Sequence, residues 1–397
     1  MFPWHPPKTM AILVRGEEGT APFADELFCR RLSLKSSKFN LNIFVLVISS
    51  EVTRKLPTHG YVYRYGQWKK DPIPEIHLLM DRCLRPVPKQ VRQQLHYLVA
   101  STSGQRVRYW STSLPGKWKV HRALSREPAI RSLLTPTLLL QPGVKWEPWL
   151  DRWPSGLFFK PVAGTHGRDT FRLVSEEKGR LWSVDGRDSS NVAFSYVLRT
   201  HQSVRNWVES AMTRHSMIMQ PYLNLSHHGH PFDIRALVQK NGNGHWSLTG
   251  CMVREGIEGS LTSNLHGGGT AHPVQSYLMD RYGSSHTAIL LERIKQAATL
   301  IPPLLESRFG RLAELGIDFG ADTDGRLWLL EVNSKPGRSA FAMADNPQMH
   351  TMTYTEPLAY AHYLLQQHVL TDVYRPTMKM PNTSSKAGLK PIPIHGG

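Results

Sequence analysis

Cysteine is scarce in this 397-residue chain: Cys29, Cys83 and Cys251 stand far apart, without metal-type spacing. That excludes a disulfide framework and a zinc finger or ribbon, and it fits a reducing compartment. The three read as small packing residues. Long apolar runs are missing too. The longest, Leu41–Ser49, falls well short of the ~20 residues a membrane-spanning helix needs. The opening MFPWHPPKTM has no apolar leader core, so a cytoplasmic location is the expectation. Acidic residues are outnumbered, 31 against 48 basic ones, for a formal net charge of +17. Such a surface draws anions in general. Yet there is no block of consecutive basic residues, no helix-turn-helix and no aromatic RNA-binding signature, so nucleic acid is not an expected partner. A GxxxxGK[ST] phosphate loop is also absent.

What is present is an alternation of apolar and polar stretches. Met10–Arg15, Asn42–Ser49 and Glu75–Leu84 read as strands of a small α/β domain. The Ser- and Gly-bearing segment Ser101–Gly116 reads as a linker. The resulting division is a domain over 1–110, a larger one over 111–370 and a tail over 371–397. The tail carries Pro376, Pro381, Pro391 and Pro393 among basic residues, and disorder is expected there. Two hairpins are legible in the larger domain. Phe171–Val184 turns at Glu177–Gly179, and Phe232–Arg254 turns at Asn241-Gly242-Asn243-Gly244. Val192–Arg214 reads as helical and leads into the strand Ser216–Leu223. A helix over His286–Phe309 is expected to break at Pro302-Pro303, and a last one to cover Glu356–Val369.

The stretch WLLEVNSKPG, Trp328–Gly337, is the most informative. An apolar strand carries Glu331 and Asn333 two residues apart, so both project from one face. Either this is the wet face of an edge strand, or two hard oxygen donors sit side by side for a cation such as Mg²⁺. Upstream, Glu314–Ala321 reads as a strand bearing Asp318, and Asp322–Gly325 reads as a turn. The hairpin brings Asp318 toward Glu331, and three oxygen ligands converge.

Further stretches carry chemistry. In Leu157–Thr170 a strand ends in Lys160 and a loop with Gly164 and Gly167 follows, which on its own reads first as a surface hairpin with an exposed lysine and second as an anion-binding loop. In Met219–Leu225 a Gln220-Pro221 step is followed by Tyr222 and Leu223. Pro221 removes a backbone donor, and the free edge could read a purine. In Pro231–Gln239, Asp233 and Arg235 share a strand face, as an ion pair or as substrate contacts. A long Gly-rich loop with Asn264, His266 and Gly267-Gly268-Gly269 follows Arg254, in the manner of loops that close over ligands. The run His227-His228-Gly229-His230 reads either as a solvated turn or as a metal site.

Taken in order, these stretches resemble an ATP-grasp domain. The pattern PFDIR…VR…TSNLHGGG…ELGIDFG…LWLLEVNSKPGR is most similar to the YheC/YheD group, the endospore coat-associated ATP-grasp proteins. The resemblance covers Lys117 to Leu370. It implies an α/β (α+β) fold in which two α+β subdomains grip ATP, preceded by a small α/β pre-ATP-grasp domain. It implies ATP and Mg²⁺ as cofactors. Lys117 and Lys160, with Gly164 and Gly167, would contact the phosphates. Gln220, Pro221, Tyr222 and Leu223 would form the adenine hinge, with Asp233 and Arg235 nearby. Asp318, Glu331 and Asn333 would hold Mg²⁺, while Arg254 and Asn264, with Lys160, would serve the chemistry. Two positions depart from the pattern. Thr262 stands where related ligases have arginine, and Asp169 stands where the phosphate loop usually has glycine.

The implied activity is a carboxylate–amine ligase acting through an acyl phosphate, with partners among coat proteins and a place in spore coat or envelope assembly. Two alternatives stay open: a catalytically silent structural component of a coat, and a ligase that modifies an acidic protein tail, for which the net charge is suited.

Overall fold

The computed structural model describes residues 6–16, 22–48, 57–84, 87, 89–103, 108–164, 167–176, 179–261, 263, 268–343 and 346–367. Residues Met1–Gln366 make one compact unit. The expected tail, 371–397, lies outside the described residues.

The chain begins with β1 (Lys8–Arg15), α1 (Glu26–Lys35), β2 (Leu41–Ile48), β3 (His59–Arg64), β4 (Gln67–Pro72), β5 (Leu78–Asp81) and α2 (Lys89–Ser103). Their sheet runs in the order β4-β3-β2-β1-β5, with β1 parallel to β2 and to β5. Its central strands are apolar on both faces, as parallel strands covered on both sides must be.

A second group follows: α3 (Lys117–Leu124), α4 (Pro128–Arg131), β6 (Leu138–Leu139), α5 (Pro148–Arg152), β7 (Leu157–Pro161), β8 (Thr170–Glu176), β9 (Leu181–Arg187), β10 (Ala193–Leu198), α6 (His201–Arg214) and β11 (Met217–Pro221). Here the sheet order is β10-β9-β8-β7-β11-β6. Val204, Val208 and Ala211, at helical spacing on α6, pack on Phe159, Phe171 and Val184.

The third group is β12 (Ser226–His227), β13 (His230–Lys240), β14 (Trp246–Glu255), β15 (Thr270–Pro273), α7 (Val274–Phe309), β16 (Glu314–Ala321), β17 (Leu327–Asn333), α8 (Ser339–Ala342) and α9 (Pro347–Gln366). Its sheet order is β15-β14-β13-β16-β17, with β12 paired to β13. One face packs on α7: Leu290, Ile294, Ala297, Ile301 and Leu305 meet Ile234, Ala236, Val238, Ile317 and Phe319. The residues alternating with these, Asp233, Arg235 and Asp318, therefore project from the opposite face. The architecture is the mixed α+β type expected from the sequence.

Several local expectations change. Val192–Arg214 is not one helix: Ala193–Leu198 is a strand paired with β9, and the helix starts after Thr200, which forms a capping box with Ser203. The aromatic and β-branched side chains of that strand favour the pleat. The prolines Pro302 and Pro303 lie inside α7 without ending it, and the break falls at Gly283, whose φ of 76° only glycine adopts easily. The last helix starts earlier than expected, at Pro347. The linker expected over Ser101–Gly116 is partly structured: α2 runs to Ser103, and Trp110 is buried. Its backbone N–H donates to the Leu79 carbonyl at 2.9 Å and its indole N–H to the Pro357 carbonyl at 3.2 Å.

Candidate active site

The turn between β16 and β17 is built by Asp322, whose carboxylate accepts from the Asp324 and Arg326 amides (3.1 and 2.9 Å) and from the Trp328 indole (2.7 Å). From there the ladder pairs Asp318 with Glu331 and Gly316 with Asn333. Between Asp318 and Phe319 the register shifts, and Leu330 is left without a cross-strand partner. This bulge matters. Leu327 and Leu329 face the core, and strict alternation would send Glu331 and Asn333 into it as well. The extra residue reverses the parity, so that Val332 returns to the core and Glu331 and Asn333 emerge on the other face. The carbonyl of the bulged Leu330 accepts from Lys160 Nζ at 3.4 Å.

On that face the ladder sets Arg235 opposite Asp318 and Arg254 opposite Asp233. Arg235 donates to both oxygens of Asp318, the Nη2–Oδ2 bond measuring 2.9 Å. Arg254 grips Asp233 with Nε and Nη2 at 2.6 and 2.7 Å, and its Nη2 lies 3.1 Å from Asp318 Oδ2. The Ser263 hydroxyl donates to Asp233 as well. Asn333 Nδ2 lies 3.5 Å from Asp318 Oδ2. Burial alone would raise the Asp318 carboxyl, but the Arg235 and Arg254 guanidiniums outweigh it and hold the group below the usual carboxylate range.

The second sheet contributes from across this face. Lys160 is the last residue but one of β7, and Lys117 opens α3. Lys117 Nζ donates to the Gly164 carbonyl at 2.7 Å and lies 3.4 Å from Glu331 Oε1. The Lys117 amide donates to the Val162 carbonyl at 2.9 Å, so the start of α3 is tied to the loop that follows β7. Burial pushes the Lys160 ammonium down to about 8, with Glu331 pulling it up and the Lys117 charge adding to the fall. Gly167 has φ 70°, and its carbonyl accepts from Thr170. Asp169, the departure from the usual glycine, lies 3.2 Å from His215 Nε2.

The expected hinge leaves β11 beside these groups. β11 pairs with β7 as far as Pro221, whereas its pairing with β6 stops at Met219. The Tyr222 amide is committed to the Gly156 carbonyl at 2.9 Å, and Arg172 stacks on the Tyr222 ring at 4.1 Å. Leu223 follows on the same segment, half-buried. Asn264 and His266 lie outside the described residues, as does Thr262.

Sequence reasoning passed over several supporting residues. A Cβ on Gly316 would stand 2.8 Å from Pro336 Cβ and 3.3 Å from Arg235 Nη1, so glycine makes room for the Arg235 side chain. A glycine inside an apolar strand was the available signal. Gln220 donates to Thr137 Oγ1 at 2.7 Å, and Thr137 lies 3.4 Å from His121 Nδ1, which links the hinge to α3. Burial and the charge of Lys160 lower His121 to about 4, so it is uncharged at neutral pH. No sequence pattern marks that link.

The donor set suits a hard divalent cation. Asp318 and Glu331 bring two carboxylates to one face with the Asn333 amide beside them, its nitrogen toward Asp318, and each carboxylate oxygen can accept more than one partner. Arg235, Arg254, Lys117 and Lys160 supply positive charge around them.

The YheC/D-like ATP-grasp family model matches residues 106–364. The chain is 30% identical over 256 residues to the endospore coat-associated protein YheC of Bacillus subtilis (strain 168), which covers 64% of this chain and 68% of that one. The endospore coat-associated protein YheD of the same organism is 24% identical over 315 residues, 78% of this chain and 68% of that one. The solved VanG D-Ala:D-Ser ligase of Enterococcus faecalis is 13% identical, covers 90% of this chain and 99% of that chain, and superposes with a TM-score of 0.50, a likeness of fold. With residues 106–364, more than half of its length, matched by the family model, this chain belongs to the YheC/D-like ATP-grasp family.

Proposed function

We propose that this protein is an ATP- and Mg²⁺-dependent ligase that joins a carboxylate to an amine through an acyl phosphate. One observation supports the reading most. Asp318 and Glu331 are direct cross-strand partners, and Lys117 from α3 and Lys160 from β7 reach the adjacent Glu331 carboxylate and Leu330 carbonyl. A structural hairpin has no use for that convergence, whereas triphosphate chemistry does.

In this reading Lys117 and Lys160 bind the β- and γ-phosphates, and Gln220 to Leu223 line the base. Asp318, Glu331 and Asn333 would hold Mg²⁺, which when bound offsets phosphate charge and polarises the γ-phosphoryl group. A substrate carboxylate oxygen attacks the γ-phosphorus. The new P–O bond forms as the bond to the β-phosphate oxygen breaks, and ADP leaves. The amine nitrogen then attacks the acyl carbon, the C–O bond breaks with release of phosphate, and the amine proton passes to solvent or phosphate. Arg254, held in place by Asp233, neutralises the acyl phosphate, and Asn264 would serve the same step. Arg235 keeps Asp318 anionic and oriented. The N-terminal sheet, 1–110, would contribute to acceptor binding as a pre-ATP-grasp domain, with 111–370 as the grasping domain.

The coat association of the YheC and YheD relatives favours a role in spore coat or envelope assembly. No helix among the described residues is long and apolar enough to cross a membrane. A second reading, ligation onto an acidic polypeptide, draws on the net charge of +17. It predicts acceptor binding that weakens with salt.

The test is nucleotide-dependent. ATP should raise the melting temperature only with Mg²⁺ present, and ADP should accumulate when acid and amine acceptors are supplied together. No thermal shift with ATP and Mg²⁺ would favour the silent coat component.

A further inference from the structure

The His227-His228-Gly229-His230 run takes no part in the site above, yet the fold gives it a partner that the sequence did not reveal. β12 and β13 form a tight hairpin across this run. His227 pairs with His230, while His228 and Gly229 sit at the tip with φ of 49° and 80°. Positive φ at both tip residues is the geometry of a type I′ turn. It brings the rings of His227 and His228 to 4.0 Å between centroids. Asp280, on the first segment of α7, meets them from outside, with its Oδ2 2.8 Å from His227 Nε2. One ligand atom from each of His227, His228 and Asp280 lies within 4.8 Å of the others.

We propose that His227, His228 and Asp280 form a second metal site, selective for a borderline cation such as Zn²⁺ and separate from the Mg²⁺ donors. In a tetrahedral zinc site, bonds of about 2.0–2.1 Å put the ligand atoms roughly 3.3 Å apart. The His227–Asp280 contact has to open by about half an ångström and His228 has to swing inward. Both His228 and Asp280 are exposed and can move without disturbing the core, the Asp280 side chain being 71% accessible. Water completes the fourth position. Two imidazoles and one carboxylate favour Zn²⁺ over Mg²⁺, which prefers all-oxygen shells.

The surroundings hold the ligands in place. The His227 ring packs on Tyr277 at 5.4 Å. The adjacent cation, Arg281, donates to the Ser226 carbonyl and, at 2.7 Å, to the Tyr282 hydroxyl. The site ties the hairpin to the part of α7 that precedes the Gly283 break. The hairpin in turn supports the start of the Gly-rich loop, because Gly259 N–H donates to the Gly229 carbonyl at 3.2 Å and Gly256 N–H to the Pro231 carbonyl at 2.8 Å.

The test titrates the full chain with Co²⁺, followed by its visible absorption, and then with Zn²⁺ in competition. Calorimetry gives the stoichiometry. The expected result is an intense four-coordinate Co²⁺ band, displaced by Zn²⁺ and untouched by millimolar Mg²⁺. In the double variant His227→Gln/His228→Asn the band disappears and one equivalent of Zn²⁺ is lost. Asparagine tolerates the positive φ at position 228, and circular dichroism checks the fold. Asp280→Asn, an exposed change that leaves the hairpin sequence intact, weakens Zn²⁺ at least tenfold. The site is refuted if wild type gives no such band, or if the double variant or Asp280→Asn retains wild-type Co²⁺ absorption and Zn²⁺ uptake.

Discussion

Two buried ionic networks hang from the same strand, β16, four residues apart, and they differ in how they end. At Glu314, Arg82 Nη1 donates to one carboxylate oxygen at 3.0 Å, and Arg338 and Gln239 donate to the other. Arg82 is also bound to Asp25, at 3.0 and 2.8 Å, and Arg338 to the Thr353 and Pro336 carbonyls. The ring of Phe28 lies under both guanidiniums, 4.8 and 4.1 Å away. This network joins the N-terminal sheet to the base of the β16–β17 hairpin and reaches the surface at Asp25, whose side chain is 37% exposed. At Asp318 the arginine pairing is just as tight, but Asn333 joins it from β17, and beside them Glu331 meets Lys117 of α3 while Lys160 of β7 bonds the Leu330 carbonyl. The Glu331 side chain is 29% exposed, against 1% for Glu314. A buried carboxylate gripped by arginines does not mark a site. What marks it is charge: Arg82 and Arg338 balance Asp25 and Glu314, whereas Arg235, Arg254, Lys117 and Lys160 outnumber Asp233, Asp318 and Glu331 and leave positive charge for an anion.

Cutting each network tests that distinction, and the charge-balanced one, centred on the buried Glu314, should give the largest stability change. Glu314→Gln leaves Arg82 and Arg338 short of a counter-charge inside the core. A loss of about 3–5 kcal/mol is expected, read as a lower urea midpoint, while the remaining folded protein still binds ATP. Glu331→Gln should do the reverse. Its carboxylate is half-exposed, so the unfolding midpoint stays near wild type while ATP turnover falls by about 10²–10³-fold. If both variants lose stability equally, the comparison between the two ends of β16 collapses. Asp318→Asn shares both properties and should lose stability and turnover together.

Gly316 lies between the two networks and sharpens the contrast. Alanine there brings a methyl group within 2.8 Å of Pro336 Cβ and 3.3 Å of Arg235 Nη1. A cost of about 1–3 kcal/mol is expected from such overpacking. Because Arg235 must shift, Mg²⁺-dependent ATP affinity should fall as well. Full affinity in Gly316→Ala, measured by calorimetry, would show that Arg235 does not position Asp318.

The sequence made the order of these groups legible, and physical reasons explain what it hid. Alternation placed Asp233 with Arg235, and the Asp322–Gly325 turn placed Asp318 against Glu331, because both depend on local pleat and turn chemistry. The bulge at Leu330 was not legible. It arises from how β17 meets β16, and only the switch from Leu327 and Leu329 to Val332 in the core hints at it. The Glu314 network was equally hidden, since Arg82, Asp25 and Arg338 come from distant parts of the chain. The helical reading of 192–198 failed because pairing with β9, a tertiary contact, decided its state.

The smallest expected effect concerns Lys160, and its sign follows from where the group sits. Burial lowers its ammonium to about 8 in the free protein, below an ordinary lysine. Bound phosphates favour the charged form, so the folded, nucleotide-bound protein holds the proton more tightly than the free one. Below about pH 8 the lysine is charged in both states, and affinity for ATP should not vary through this group. Above it the free protein must take up a proton to bind, and affinity falls by up to about tenfold per pH unit until the bound-state value is passed. Lys160→Met should bind ATP more weakly at neutral pH and lose this dependence, so the two curves converge as pH rises. Asp318, held well below the usual carboxylate range by two guanidiniums, stays ionised throughout and adds nothing to the slope. Calorimetric ATP titrations across this range separate the two ends of the site. A wild-type affinity flat to pH 9.5 would mean that Lys160, unlike Glu331, faces the Leu330 carbonyl and not the phosphates.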